Sequence, residues 1–132
     1  MKILNRRAKF DFTLIQKYEA GVVLKGEDLR LLKSGKVTLK GAYAKIINGE
    51  VFLLTTGLPT RKLLLHKKEI LVIETKIKAK KLTIVPTKLY TKGRLVKAEL
   101  ALAKAKRKFE KRDSIKKKDI KREVEKELKG RS

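Results

Sequence analysis

Strand-like patterning dominates the first hundred residues. Lys9–Leu24 is rich in Phe, Thr, Ile, Val and Tyr, and predicts one bent strand or two. Val37–Ile47 and Glu50–Leu54 flank Asn48-Gly49. Asn-Gly between two apolar runs predicts a hairpin, because a type I′ turn needs positive φ at both residues. Leu82–Tyr90 predicts a strand with Pro86 at an edge or a bulge, since proline has no N–H to donate. After the turn Thr91-Lys92-Gly93-Arg94, Leu95–Lys104 alternates, with Val96, Ala98, Leu100 and Leu102 on one face. Two stretches carry helical spacing instead. Gly26-Glu27-Asp28 opens a short helix in which Leu29 and Leu32 share a buried face and Ser34-Gly35 is the stop. Leu63–Lys78 predicts a second helix, with Ile70, Ile73 and Ile77 on one side. Hairpin-linked strands with two short helices make a mainly β fold, a small antiparallel barrel plugged by helices.

The pattern breaks near Ala103. Residues 103–132 are dominated by Lys, Glu, Arg and Ala, with no Gly or Pro before Gly130, and are helix-prone. Ile120, Val124 and Leu128 form a stripe too narrow to hold a helix to a body. The expectation is a folded body at 1–102 and a basic C-terminal tail at 103–132, partly disordered when free and helical on a partner.

Charge then changes the picture. The chain has 37 Lys+Arg against 14 Asp+Glu, a net +23 on 132 residues. Residues 1–102 hold 23 basic and 8 acidic side chains, and the tail 14 and 6. Such a surplus opposes compaction and calls for a polyanion, of which nucleic acid is the leading class. With no cysteine, neither disulfides nor thiolate zinc sites are available. No apolar run approaches a membrane span, and Met1–Phe10 is too charged for a signal peptide, so a cytoplasmic protein is expected.

Chemistry-bearing residues are few. Glu27 and Asp28 are explained by a helix start, where the dipole favours carboxylates. Glu19, between Tyr18 and Ala20 inside a strand, has no such explanation. The single histidine, His66, has no Ser, Cys or Asp arrangement to pair with. No phosphate-binding glycine loop and no metal-ligand spacing occur, so neither an enzyme nor a cofactor is indicated. The body aromatics Phe10, Phe12, Tyr18, Tyr43, Phe52 and Tyr90 are expected mostly in the core. That disfavours stacking on single strands and favours recognition of a folded RNA by shape, phosphate and 2′-hydroxyl contacts. Phe109, alone among cations, is suited to stacking on a base.

Several blocks, in order, carry a family resemblance. They are Asn5-Arg6-Arg7-Ala8, Tyr18-Glu19-Ala20-Gly21, Leu24-Lys25-Gly26, Leu32-Lys33-Ser34-Gly35 and Asn48-Gly49-Glu50. Then follow the block from Arg61 to Ile70, Thr83-Ile84-Val85-Pro86, Leu89-Tyr90, and the basic run 104–122. Together they resemble the SmpB family, the SsrA-binding proteins that bind tmRNA in bacterial trans-translation. The resemblance implies an OB-fold-type barrel that binds the tRNA-like domain of tmRNA as a monomer, one copy per RNA. It also implies a tail that enters the empty mRNA channel beyond the small-subunit decoding centre of a stalled ribosome.

Glu19, Leu64 and His66 match positions that the family uses for RNA binding. Asn5, Arg6, Arg7, Tyr18, Gly21, Lys36, Arg61 and Lys62 complete the candidate body surface. The tail candidates for ribosome binding are Lys106, Arg107, Lys108, Phe109, Lys111, Arg112, Ile115, Lys116, Lys117, Lys118, Lys121 and Arg122. The chain departs from the family in the short connection 55–60, in Ala105 for the usual Gly, in Glu110 for Asp, and in Phe109 for His or Tyr. A ribosomal or rRNA-binding protein without tmRNA specificity is the alternative of the same charge and shape. A ribonuclease using Glu19 and His66 is the enzymatic one.

Overall fold

The computed structural model describes residues 1–107. They form seven strands and three helices: β1 (Lys2–Leu4), α1 (Ala8–Asp11), β2 (Phe12–Val22), α2 (Asp28–Lys33), β3 (Thr38–Ile47), β4 (Glu50–Thr56), β5 (Arg61–Leu64), α3 (Lys67–Lys80), β6 (Thr83–Lys92) and β7 (Leu95–Ala105). The sheet runs β1-β6-β3-β4-β5-β2-β7, and β6 also pairs with β7. That last pairing closes six antiparallel strands into an OB-like barrel, which removes the free edges. β1 lies outside the closure, against the outer part of β6 from Lys88 to Tyr90.

The interior is aliphatic. Leu39, Leu53, Leu63, Leu89, Leu100 and Leu102 are fully buried, and α3 contributes Ile73 and Ile70. Each such side chain stabilises the fold by about 1.5–3 kcal/mol. A second small cluster of Ala8, Val85 and Ala103, flanked by Phe12 and Leu14, lies under α1. β7 is therefore buried on both faces along part of its length: Ala101 and Ala103 are as inaccessible as Leu100 and Leu102.

Two irregularities fit the strands to this barrel. β2 shifts register between Leu14 and Gln16, and β6 between Pro86 and Lys88. The extra residue on β6 is Thr87. Before it, Pro86 pairs with Leu100, both buried; after it, Leu89 pairs with Ala98, again both buried. A regular strand could not point Pro86 and Leu89 to the same side, because side chains alternate. Proline is tolerated there because the bulge relieves the ladder.

Most predicted elements are present, with corrections. The Asn48-Gly49 hairpin joins β3 to β4, with φ of 51° and 75° at the two residues. The predicted helix 63–78 is shorter at its start: Arg61–Leu64 is strand β5, whose Leu63 pairs with Val51 on β4 and Val22 on β2. A short apolar run such as Leu63-Leu64-Leu65 suits either state by pattern, and cross-strand pairing decides it. The predicted strand from Lys9 begins three residues later, at Phe12, because α1 turns first. On α2, Leu32 is buried but Leu29 is 42% exposed, and Asp28 takes the inner position.

The aromatics also differ from expectation. None of the six is fully buried; Tyr43 is 47% exposed and the others are half-buried, with Tyr18 and Phe12 packed against the two core clusters. A barrel of six strands is filled by Leu, Ile, Val and Ala, leaving little room for rings. Finally, β7 runs through Ala105, three residues beyond the compositional break at 102.

Candidate nucleic-acid interface

β2 lies between β5 and β7 in the sheet, and three outward positions meet there. Gly21 pairs with Leu64 on β5 and with Lys97 on β7. Leu64 is 54% exposed, and Glu19 lies two residues before Gly21 on the same outer face. Next to them His66 caps the start of α3, and its extended backbone turns the chain from β5 into the helix. The His66 N–H donates to Glu69 Oε1 at 3.4 Å, so Glu69 satisfies a donor the helix cannot. Glu19, Gly21, Leu64, Leu65, His66, Glu69 and Lys97 together line a cleft of about 400 Å³.

Gly21 is one of its lining residues. A Cβ there would meet Leu64 Cβ at 3.6 Å and Lys97 Nζ at 3.9 Å, ordinary contact distances. The missing side chain therefore leaves depth rather than preventing a clash.

The electrostatics of the cleft are set from β6. Tyr90 OH donates to Glu19 Oε2, and Lys92 Nζ lies 3.7 Å from Glu19 Oε1. The Tyr90 hydrogen bond, with the charges of Lys92 and Lys97, holds the Glu19 carboxyl below its usual range. The same bond, with burial and the Glu99 charge, pushes the Tyr90 phenol up to about 12. An ionised carboxylate only accepts hydrogen bonds, so Glu19 can take amino or hydroxyl donors and repels phosphate. Exposed Leu64 offers an apolar contact, and Lys97 a cation for the backbone of a nucleic acid.

Of the predicted body residues, Glu19, Gly21, Leu64 and His66 come together in this cleft. Tyr18 points the other way, against the core, with its hydroxyl buried and without a hydrogen-bond partner. Burial, and then the charge of Glu69, push its phenol up. Asn5 is tied to the β6 bulge: its side chain donates to the Pro86 carbonyl at 2.8 Å and its N–H to the Thr87 carbonyl at 2.9 Å. Arg6 and Arg7 are exposed at the start of α1, and Arg7 stacks 4.8 Å over the Phe10 ring. Lys36 is exposed between α2 and β3.

Arg61 grips Asp28 with one edge of its guanidinium, Nε and Nη2 donating at 2.6 and 3.0 Å, and Lys62 pairs with Glu50 at 3.2 Å. Of the tail candidates, Lys106 is bound to the α1 turn, through Nζ to the Lys9 carbonyl and through its N–H to the Asp11 carbonyl. Arg107 is exposed, and Lys108 onwards lies outside the described residues.

Sequence reasoning missed Lys97, Glu69 and Leu65 as cleft residues, and Tyr90 as the residue that hydrogen-bonds Glu19 from β6. Only strand pairing brings Lys97 beside Gly21, and no periodicity encodes that. Among the described residues, no group of three His, Cys, Asp or Glu could hold a metal ion. No helix there is long and apolar enough to cross a membrane.

The family model described as "SmpB protein" matches residues 2–130. The chain belongs to the SmpB family. Among its relatives, the SsrA-binding protein of Sulfurihydrogenibium sp. is 45% identical, with 96% of this chain and 93% of that protein covered. The SsrA-binding protein of Persephonella marina is 43% identical at the same coverage. That of Thermosipho melanesiensis is 42% identical over 147 aligned positions, covering 98% of this chain and all of the relative. An alignment longer than the 132-residue chain means that this SmpB family member lacks residues that the relative has. A solved chain from "tmRNA-SmpB: a journey to the center of the bacterial ribosome" superposes with TM-score 0.65 at 36% identity, covering 81% of this chain and 85% of its own.

Proposed function

We propose that the protein is a non-enzymatic RNA-binding adaptor. It binds the tRNA-like domain of tmRNA and delivers it to stalled ribosomes for trans-translation, working in the cytoplasm as one copy per tmRNA. The observation that carries this is the SmpB family match across residues 2–130. The cleft supports it physically. A fixed carboxylate, an exposed leucine and an imidazole on one barrel wall offer contacts to bases and riboses that a purely electrostatic RNA binder does not need.

The tail is given the second role. Its cations, from Arg107 through Lys108, Lys111, Arg112, Lys116, Lys117, Lys118, Lys121 and Arg122, engage ribosomal RNA in the mRNA channel beyond the small-subunit decoding centre. Phe109 and Ile115 supply the apolar contacts. The body carries RNA specificity, and the tail carries ribosome engagement.

Deleting residues 107–132 tests this division. All seven strands and the Lys106 anchor stay in place. The truncated protein should keep its affinity for the tRNA-like domain within a few-fold and lose peptide tagging on stalled ribosomes. Loss of most of the specific RNA affinity would refute the division of labour.

A further inference from the structure

Glu19 on β2 and Glu99 on β7 are direct register partners on the outer wall of the barrel. Like charges directly opposite each other destabilise a strand pair. β6, on the far side of β7, compensates each of them with a hydroxyl and a lysine. Thr87 Oγ1 donates to Glu99 Oε2 at 2.5 Å, and Lys88 Nζ lies 4.0 Å from Glu99 Oε1. Tyr90 OH donates to Glu19 Oε2, and Lys92 Nζ stands 3.7 Å from Glu19 Oε1. The Tyr90 ring is itself held by Lys88, whose Nζ is 5.2 Å from the ring centroid.

The bulge at Thr87 makes this possible. It resets the alternation of β6 so that Leu89 faces the core and Tyr90 faces outward, opposite Lys97. From there the phenol spans β7 to reach a carboxylate two strands away. Lys92, from the same strand, reaches the same carboxylate with a flexible chain, whereas the Tyr90 ring reaches it with a rigid one.

We propose that Tyr90 is a positioning residue of the RNA-binding cleft: reaching across β7, it holds the Glu19 carboxylate at the cleft wall in one orientation, with acceptor capacity left for a donor on the RNA. A carboxylate has about four acceptor sites, and Tyr90 occupies one of them. Left unheld, Glu19 would adopt several rotamers on an exposed strand face and swing towards the surrounding lysines. Ordering it before the RNA arrives removes that cost from binding. The phenol, pushed up to about 12, keeps its proton throughout the physiological range. The inference rests on the RNA-binding reading of the cleft.

The test uses the full chain and a transcript of the tRNA-like domain. Tyr90→Phe removes the hydroxyl and keeps the ring, and thermal unfolding verifies that the variant folds. The variant should weaken binding about tenfold, a size typical of a lost hydrogen bond to a charged group. In a Glu19→Ala background the same change should cost less than about twofold, because Tyr90 acts through Glu19. Equal losses in the two backgrounds would overturn the proposal, since Tyr90 would then touch RNA itself or serve only the fold.

A second readout needs no RNA. NMR titration of the Glu19 carboxyl carbon in the free protein should show its pKa rising towards the usual carboxylate value in Tyr90→Phe. An unchanged value overturns the contact. If the wild-type protein shows no preference for the tRNA-like transcript over an rRNA fragment of equal length, the adaptor reading fails, while the titration still decides the contact.

Discussion

Asp28 sits at the start of a six-residue helix, where the dipole alone would explain a carboxylate. Its burial to 3% exposure requires more than that. Arg61 supplies a two-pronged contact from β5, and the Lys25 N–H donates a third bond at 2.7 Å. Fully bonded, the carboxylate can stay ionised away from water; with one partner removed, it could not. Arg61, first by hydrogen bond and then by charge, holds the Asp28 carboxyl below its usual range. The folded state thus favours the ionised form. The resulting stabilisation is complete above the unfolded value of about 4 and is lost as pH falls through the folded value. Asp28→Asn should therefore lower Tm clearly at neutral pH, and its deficit against wild type should shrink on acidification below about pH 4. A deficit that stays constant down to about pH 3 would remove charge from the account. Arg61 is visible in the sequence as part of a basic block, but the residue that occupies this arginine is 33 positions away and appears only in the fold.

The connection from β4 to β5 shows how a short segment is made to fit. Between Thr56 and Arg61 the chain has only Gly57, Leu58, Pro59 and Thr60. Leu58 is buried at 6% exposure and joins the core cluster. Gly57 takes φ +90° and passes so close to the α2–β3 connection that an added Cβ would lie 2.5 Å from the Lys36 carbonyl oxygen. Both its dihedral and its backbone neighbour exclude a side chain. Gly57→Ala should destabilise the protein by at least about 2 kcal/mol in denaturant unfolding. Gly49→Ala, at φ +75° with open space around it, should cost less, about 1–2 kcal/mol. Equal costs at the two sites would mean that the connection yields to the clash.

Elements of this kind divide by how visible they are in sequence. The Asn48-Gly49 hairpin, β7 and the Ile70–Ile73–Ile77 face of α3 follow local rules, so periodicity and turn chemistry reveal them. β1 and α1, of three and four residues, are too short to carry a period. β5 is helical by pattern and strand by pairing, which no local signal resolves. The cleft follows the same division. Glu19, Leu64 and His66 were legible from motifs, whereas Lys97 joins them, and Tyr90 reaches Glu19, only through strand register.

At the scale of the whole molecule, charge and specificity separate. Six body carboxylates are already paired with cations: Asp11 with Arg7, Asp28 with Arg61, Glu50 with Lys62, Glu74 with Lys78, Glu99 with Lys88 and Glu19 with Lys92. The basic surplus of the body therefore faces outward with few internal anions to meet it, and phosphates are its natural complement. Such binding is strong, salt-dependent and indifferent to RNA shape. Glu19 contributes the opposite sign. A fixed carboxylate in a positive field repels a phosphate and rewards a base or ribose donor at one place only, which is how a cationic surface becomes selective. Two substitutions should then behave oppositely when binding to the tRNA-like domain and to an unrelated RNA is followed against salt. Lys97→Ala should weaken both, and flatten the dependence of log affinity on log salt by about one unit. Glu19→Ala should leave that slope almost unchanged, weaken binding to the tRNA-like domain, and leave unrelated RNA bound as tightly as before or slightly tighter. A parallel loss on both RNAs would make Glu19 a structural residue and return the cleft to plain electrostatics.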